Sequence, residues 1–446
     1  MKLWQKDQNI SSDQVDAFTV GNDRSFDALM ASHDVLGNMA HANMLESIGL
    51  LSASENEALQ QALRKMFPSL QEKGFVLPAD VEDIHSYIEN KLTEELGEVG
   101  KKIHAARSRN DQVLADIRLF LRDEIEFLVK HMVDCFQLLQ KLSQHHQYHL
   151  LPGYTHLQLA MPSSFGLWLG AYAESLADDV LVLQNAYRIT NKNPLGSAAG
   201  YGSSFPINRT MTTELLGFDT LNYNVVYAQM GRGKVERITA QAITSVAETL
   251  AKMSMDMCLY MSQNMGFVSF PDHLTTGSSI MPHKKNPDVF ELIRGKCNRI
   301  KSIPQEIMLL TTNLPSGYHR DLQLLKEALF PAFEELHHCL NMMMLMLSNM
   351  KVQTNILDDP RYTYLFTVDA VNNLVMQGMP FRDAYREVGR QVNEGSFQKP
   401  TQPQLGTHEG SMGNLCNEEI ANLMKTYLEG FGFEQKQQAI AHLLKN

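Results

Sequence analysis

From about residue 108 to residue 149 the chain carries neither proline nor glycine. Through this stretch Leu114, Ile117, Leu121, Ile125, Leu128, Met132, Cys135, Leu139 and Leu142 recur at steps of three and four. That period lines one face of an α-helix, and about 40 residues at roughly 1.5 Å each make a rod some ~60 Å long. A second stripe, Val235, Ile238, Ala242, Val246, Leu250, Met253, Met257 and Tyr260, predicts another long helix over about 233–265. Rods of this length restrict the chain to a mainly α architecture built as a helical bundle. Such stripes exceed what one compact subunit of 446 residues is expected to cover, so other copies of the chain are expected to pack on them.

Around these rods three sections are expected: an N-terminal helical domain over 1–106, a central long-helix bundle over 107–356 and a small C-terminal helical domain over 357–446. In the first, Ser52 followed by Glu55 reads as a capping box, while Pro68, Gly74 and Pro78 mark loops. The second holds further helices over 163–190, 287–310 and 320–350, with Pro304 and Pro331 as kinks or boundaries. Its glycine-rich stretch 193–204 follows no predicted strand and lacks a Walker pattern, which leaves a flexible or substrate-edge loop. In the third, Pro380 opens a helix and 396–414 reads as a mobile connection.

A formal charge of −11 argues against general nucleic-acid binding, although a few local cations are enough to hold an anionic substrate. The five cysteines are scattered without metal-ligand spacing and are expected to be reduced thiols. The N-terminal MKLWQKDQ has no apolar core and no run is long enough to span a membrane, so a cytoplasmic protein is expected.

Four polar clusters interrupt the helical pattern. Residues 277–288, GSSIMPHKKNPD, place two prolines, a glycine, Ser278, Lys284 and Asn286 in a shaped loop before a helix that carries Glu291. Donors gathered before a helix N-terminus suit a carboxylate. SRNDQ opens the long helix with Ser108, Arg109 and Asn110, and His85 lies in EDIH shortly before it. PGYTHLQLAMP, with Thr155 and His156, reads as a turn between the end of the long helix and the next one. GYHRDLQLLKEALF supplies Tyr318, Gln323 and Lys326 near one helix face. His145, His146 and His149 are expected on a solvated helix surface. Neither a serine–histidine–aspartate elbow nor a metal triad is visible. The inventory suits proton abstraction beside a carboxylate, which builds negative charge that donors and cations must stabilise. A serine serving as base would need backbone N–H groups and a lysine to hold its alkoxide.

These motifs carry a resemblance. GSSIMPHKKNPD is similar to the GSSxMPxKxN signature of the fumarase/aspartase superfamily, and SRNDQ with PGYTHLQ resembles the argininosuccinate lyases within it. AHANMLESIGLL, EDIH, NPLGS, YHRDLQ and PFRDAYREVG extend the likeness along nearly the whole chain. The resemblance implies a three-domain fold whose central bundle assembles into a homotetramer, with each active site drawn from three subunits. It implies reversible β-elimination of argininosuccinate to arginine and fumarate, without cofactor or metal. Carried over by position, Ser278 is the base, and His156 paired with Glu291 is the acid–base partner. Lys284 and Asn286 hold the charged carboxylate. Ser108, Arg109, Asn110, Thr155, Tyr318, Gln323 and Lys326 bind substrate, and His85 matches an active-site position. MGRGKV stands where the family usually has Ser-Glu-Arg-Asp-Phe, which makes Arg232 the candidate contact there. Gln5-Lys6-Asp7-Gln8 replaces the usual Gly-Gly-Arg-Phe, and Leu324-Leu325 replaces two acids. The alternatives are a sister lyase acting on adenylosuccinate or aspartate, or a catalytically silent crystallin-like homologue.

Overall fold

The computed structural model describes residues 13–72, 74–78, 80–400 and 404–445. Gln5-Lys6-Asp7-Gln8 lies outside these, as do residues 401–403 of the 396–414 connection. The chain is mainly α, and its strands are short pairs at the helix ends.

The long helix spans Arg109–His145 and is capped by Ser108, in a capping box closed by Asp111. It packs against helices Phe165–Thr190 and Leu325–Ser348. Helix Lys234–Tyr260 packs in turn against Phe165–Thr190, Asp288–Ile300 and Leu325–Ser348, completing the bundle. The predicted stripes face inward: Leu121, Ile125, Leu128, Met132 and Cys135 are fully buried, as are Val246 and Met257. This corrects the expectation that a single subunit cannot cover them. The neighbouring helices supply the opposing apolar faces, because each also carries an inward stripe. What stays exposed lies on outer faces, including Val182, Met255, Leu292, Leu309, Met342 and Leu345.

One apolar cluster unites the central helices with much of the C-terminal section, including Ala384, Val388, Ile420 and Met424. A second gathers helices Ala31–Ser47, Ala53–Gln71 and Ile84–Leu96 with Leu216, Phe218 and Leu443. Ser52 and Glu55 form the expected reciprocal cap. Pro68, expected in a loop, lies instead within Ala53–Gln71, while Pro331 lies inside Leu325–Ser348 and not at its boundary. Burial of Leu63 and Leu70 around one, and of Leu329 and Phe333 around the other, carries the helix past the lost backbone donor. None of the described helices is long and apolar enough to cross a membrane.

The segment after the long helix is not a simple turn. Leu150–Thr155 and Gln158–Ser164 form an antiparallel hairpin, with Thr155 opposite Gln158. His156 and Leu157 occupy its two-residue tip at φ 54° and 58°, the left-handed geometry that matches strand twist in a tight hairpin. Gly153 sits at the register shift, where a Cβ would meet the Met161 carbonyl oxygen at 2.8 Å. Behind the hairpin His146 is buried, with Nδ1 2.8 Å from His149 Nδ1, so it is not a solvated surface residue. Packing of the hairpin base over the helix end covers it: Phe165 and Gly166 donate to the His149 and His146 carbonyls.

Candidate active site

A cavity of about 240 Å³ opens where the N-terminal end of the long helix meets helices Asp23–Leu29 and Ile84–Leu96 and the 318–326 segment. His85, Arg109, Asn110, Arg232, Tyr318, Gln323 and Lys326, all expected from sequence, line it. Asp23, Asp27, Glu82, Asp83 and Arg320 line it too.

The walls are tied together by charge. Lys326 is almost fully buried, and its Nζ lies 2.7 Å from Asp23 and 2.5 Å from Asp27. Burial would lower this ammonium, but the Asp27 and Asp23 carboxylates outweigh it and hold it above its usual range. Asp23 is pushed up to about 6 by burial, against the opposing pull of Lys326. Arg109 reaches Asp83 at 3.0 Å and donates to Ser86 Oγ at 2.7 Å. Arg232 donates to the Leu322 carbonyl at 3.0 Å and lies over the Tyr318 ring at 5.9 Å. Gln323 donates to the Thr19 and Val20 carbonyls. Ser108 sits one residue outside the lining set, where its Oγ accepts from the Asn110 N–H as the helix cap. Asp111 holds the neighbouring glycine-rich loop by accepting from the Gly196 and Ala198 N–H groups.

The remaining candidates lie elsewhere. Gly277 and Lys285 pair in a two-residue antiparallel ladder that pins the base of the 277–288 loop. Within it Ser278 Oγ accepts the Met281 N–H at 3.1 Å and the Ile280 N–H at 3.4 Å. Lys284 and Glu291 are exposed, Asn286 is half-buried, and Asn286 faces Thr276 across the ladder. Thr155 and His156 are exposed on the hairpin. None of these residues lines the cavity, and no ion pair joins His156 to Glu291 among the described residues of the chain.

The sequence model of a lyase family matches residues 11–301. An argininosuccinate lyase of Bacteroides fragilis is 56% identical over 99% of this chain and 99% of its own. One of Thermotoga neapolitana is 36% identical over 87% of this chain and 97% of its own. The chain belongs to the argininosuccinate lyases of the fumarase/aspartase superfamily. Solved structures share the fold at low identity. An EDDS lyase variant with bound fumarate superposes at a TM-score of 0.75 with 19% identity, covering 98% of this chain and 95% of that one. A Brucella melitensis fumarate lyase:delta crystallin bound to cobalt gives 0.70 with 15% identity, covering 93% and 91%.

For a chain of this lyase family, the acidic wall is what sequence reasoning missed. Asp23 and Asp27 stand four apart on a seven-residue helix, a same-face spacing that was readable but lay in no recognised motif. Deeper still, Asp34, His85 and Asp116 bring one ligand atom each within 4.8 Å of one another. The half-buried Arg107 guanidinium acts on the same two carboxylates and supplies countercharge, so we assign no metal there.

Proposed function

We propose that this lyase cleaves argininosuccinate by reversible β-elimination to arginine and fumarate, as a cytoplasmic homotetramer with composite active sites. Full-length identity to curated argininosuccinate lyases is the observation that carries the reading. Ser278 is the base. Its oxygen already receives two backbone N–H groups, which lower the cost of an alkoxide, and Lys284 in the same loop adds a positive charge. The alkoxide takes the succinyl Cβ proton, and that electron pair forms the new carbon–carbon double bond. The C–N bond then breaks with its electrons passing to the guanidino nitrogen, which His156, oriented by Glu291, protonates. Lys284 and Asn286 stabilise charge on the adjoining carboxylate while the proton leaves.

The mixed-charge cavity suits the amino-acid end and carboxylates of such a substrate, through Arg109, Asn110, Arg232, Tyr318, Gln323, Lys326 and His85. Ser108 and Thr155 join from the helix cap and the hairpin. Separation of the cavity from the Ser278 loop and the His156 hairpin supports sites completed by neighbouring copies, as do the apolar residues exposed on the outer bundle faces. Incubation with argininosuccinate, followed by fumarate absorbance, tests the reaction; a folded protein that releases no fumarate overturns it. Mixing and reassembling the inactive variants Ser278→Ala and His156→Asn tests the shared site. Activity should return, and a mixture as inactive as its parents would place both residues in one chain's site.

A further inference from the structure

Behind the cavity, His85 is gripped from the side away from the substrate. Its ring is nearly fully buried, and Nδ1 lies 2.9 Å from Asp34 Oδ1 and 3.6 Å from Asp116 Oδ2. Asp34 comes from helix Ala31–Ser47 and Asp116 from the long helix, so the grip joins two elements that flank the His85 helix. Neither carboxylate lines the cavity. Asp34 Oδ2 and Asp116 Oδ2 are buried and without a hydrogen-bond partner among the described residues, an arrangement too costly for two full anions side by side. With Nδ1 engaged inward, Nε2 is the ring atom left for a ligand.

We propose that Asp34 and Asp116 are positioning residues: a buried carboxyl pair sharing one proton that holds His85 as an imidazolium, with Nε2–H offered to a substrate carboxylate. Charge balance agrees, since one shared proton leaves a single negative charge between His85 and Arg107. Burial alone would lower His85, but the Asp34 charge and hydrogen bond outweigh it, with help from Asp83 and Asp27. Asp116 is pushed well up by burial and then by the charge of Asp34. Asp34 is held below the usual carboxylate range because His85 outweighs its burial. The other charged groups on the cavity walls are Asp23, Glu82, Arg109, Arg232, Arg320 and Lys326, and Arg107 acts on the two carboxyls from behind.

The assignment rests on the argininosuccinate lyase reading, and one experiment separates the two. The pH profile of kcat/KM is measured for wild type, Asp34→Asn and Asp116→Asn at equal assembly state. Wild type inactive on argininosuccinate would sink the functional reading itself. With wild type active, Asp34→Asn should shift the alkaline limb to lower pH, so that the loss is about tenfold or more on the alkaline side and shrinks towards pH 6. An equal loss at every pH would mean only structural damage and overturns the proposal. Asp116→Asn mimics the protonated acid and should keep the wild-type alkaline limb whatever its absolute rate. A limb moved to lower pH in that variant would show Asp116 to be ionised and overturns the shared proton, which decides the matter even if Asp34→Asn does not fold. One equivalent of divalent metal retained by the purified enzyme through dialysis against chelator would also overturn it.

Discussion

Two regions of this molecule carry the candidate chemistry, and they are built in opposite ways. The cavity is closed by ion pairs within one chain: Lys326 between Asp23 and Asp27, Arg109 on Asp83, and His85 on Asp34. The Ser278 loop and the His156 hairpin instead carry Lys284, Thr155 and His156 exposed and are held by short ladders, with exposed side-chain contacts such as Lys285 on Asp272. Buried charge pairs resist rearrangement because removing one partner strands the other in low dielectric. Exposed loops carry no such penalty and are free to meet a second surface. On the proposed reading, the binding half is prepared in the single chain, while the reacting half is left for assembly and substrate to complete.

Breaking the reacting half should give the largest effect. Ser278→Ala is expected to keep assembly and cavity intact while lowering kcat by roughly 10³-fold or more, read by fumarate release. Near-normal turnover would assign the base elsewhere. Breaking the binding half comes next. Lys326→Met takes the ammonium away from buried Asp27 and half-buried Asp23 and should cost about 3 kcal/mol or more of stability, measured by denaturant unfolding, together with a raised KM. Loss of kcat with KM unchanged would mean that Lys326 serves the chemistry and not the prepared cavity.

Gly153→Ala sharpens the contrast at intermediate size. A Cβ there collides with the Met161 carbonyl, so the hairpin tip should move and kcat fall by about tenfold, with melting temperature nearly unchanged. A large stability loss would show that the hairpin is as rigidly built as the cavity. The smallest effect concerns Asp23. Its folded value of about 6 lies above the ordinary 3.8, so the native state binds more protons between those values, and the wild type loses stability as pH rises through them. Asp23→Asn lacks this loss, and its melting temperature should gain on that of the wild type from about pH 4 to pH 6. A constant difference across that window would mean that Asp23 titrates normally.

Much of the cavity's lining was legible because its residues fall in compact runs: Arg109 and Asn110 open a helix whose period was plain, and Tyr318, Gln323 and Lys326 share one segment. Ser278, Lys284 and Asn286, proposed for the reaction, share one loop that does not line the cavity. Two features were not legible. PGYTHLQ reads as a turn beside a helix, because Pro152 and Gly153 signal an ending; its pairing with 158–164 depends on backbone contacts across the chain. Asp34 and Asp116 sit at ordinary helical positions where an acid is common, and only the meeting of their helices around His85 makes them unusual.

Helix period, caps and the polar motifs are local properties, so the chain's own order determined the long rods, the Ser52 and Ser108 caps and the residue types available for an elimination. Coverage of the apolar stripes and the charge states of Asp23, His85 and Asp116 were decided by tertiary structure. Burial and electrostatic coupling depend on which groups come within a few ångströms, and these groups are separated in sequence by tens to hundreds of positions.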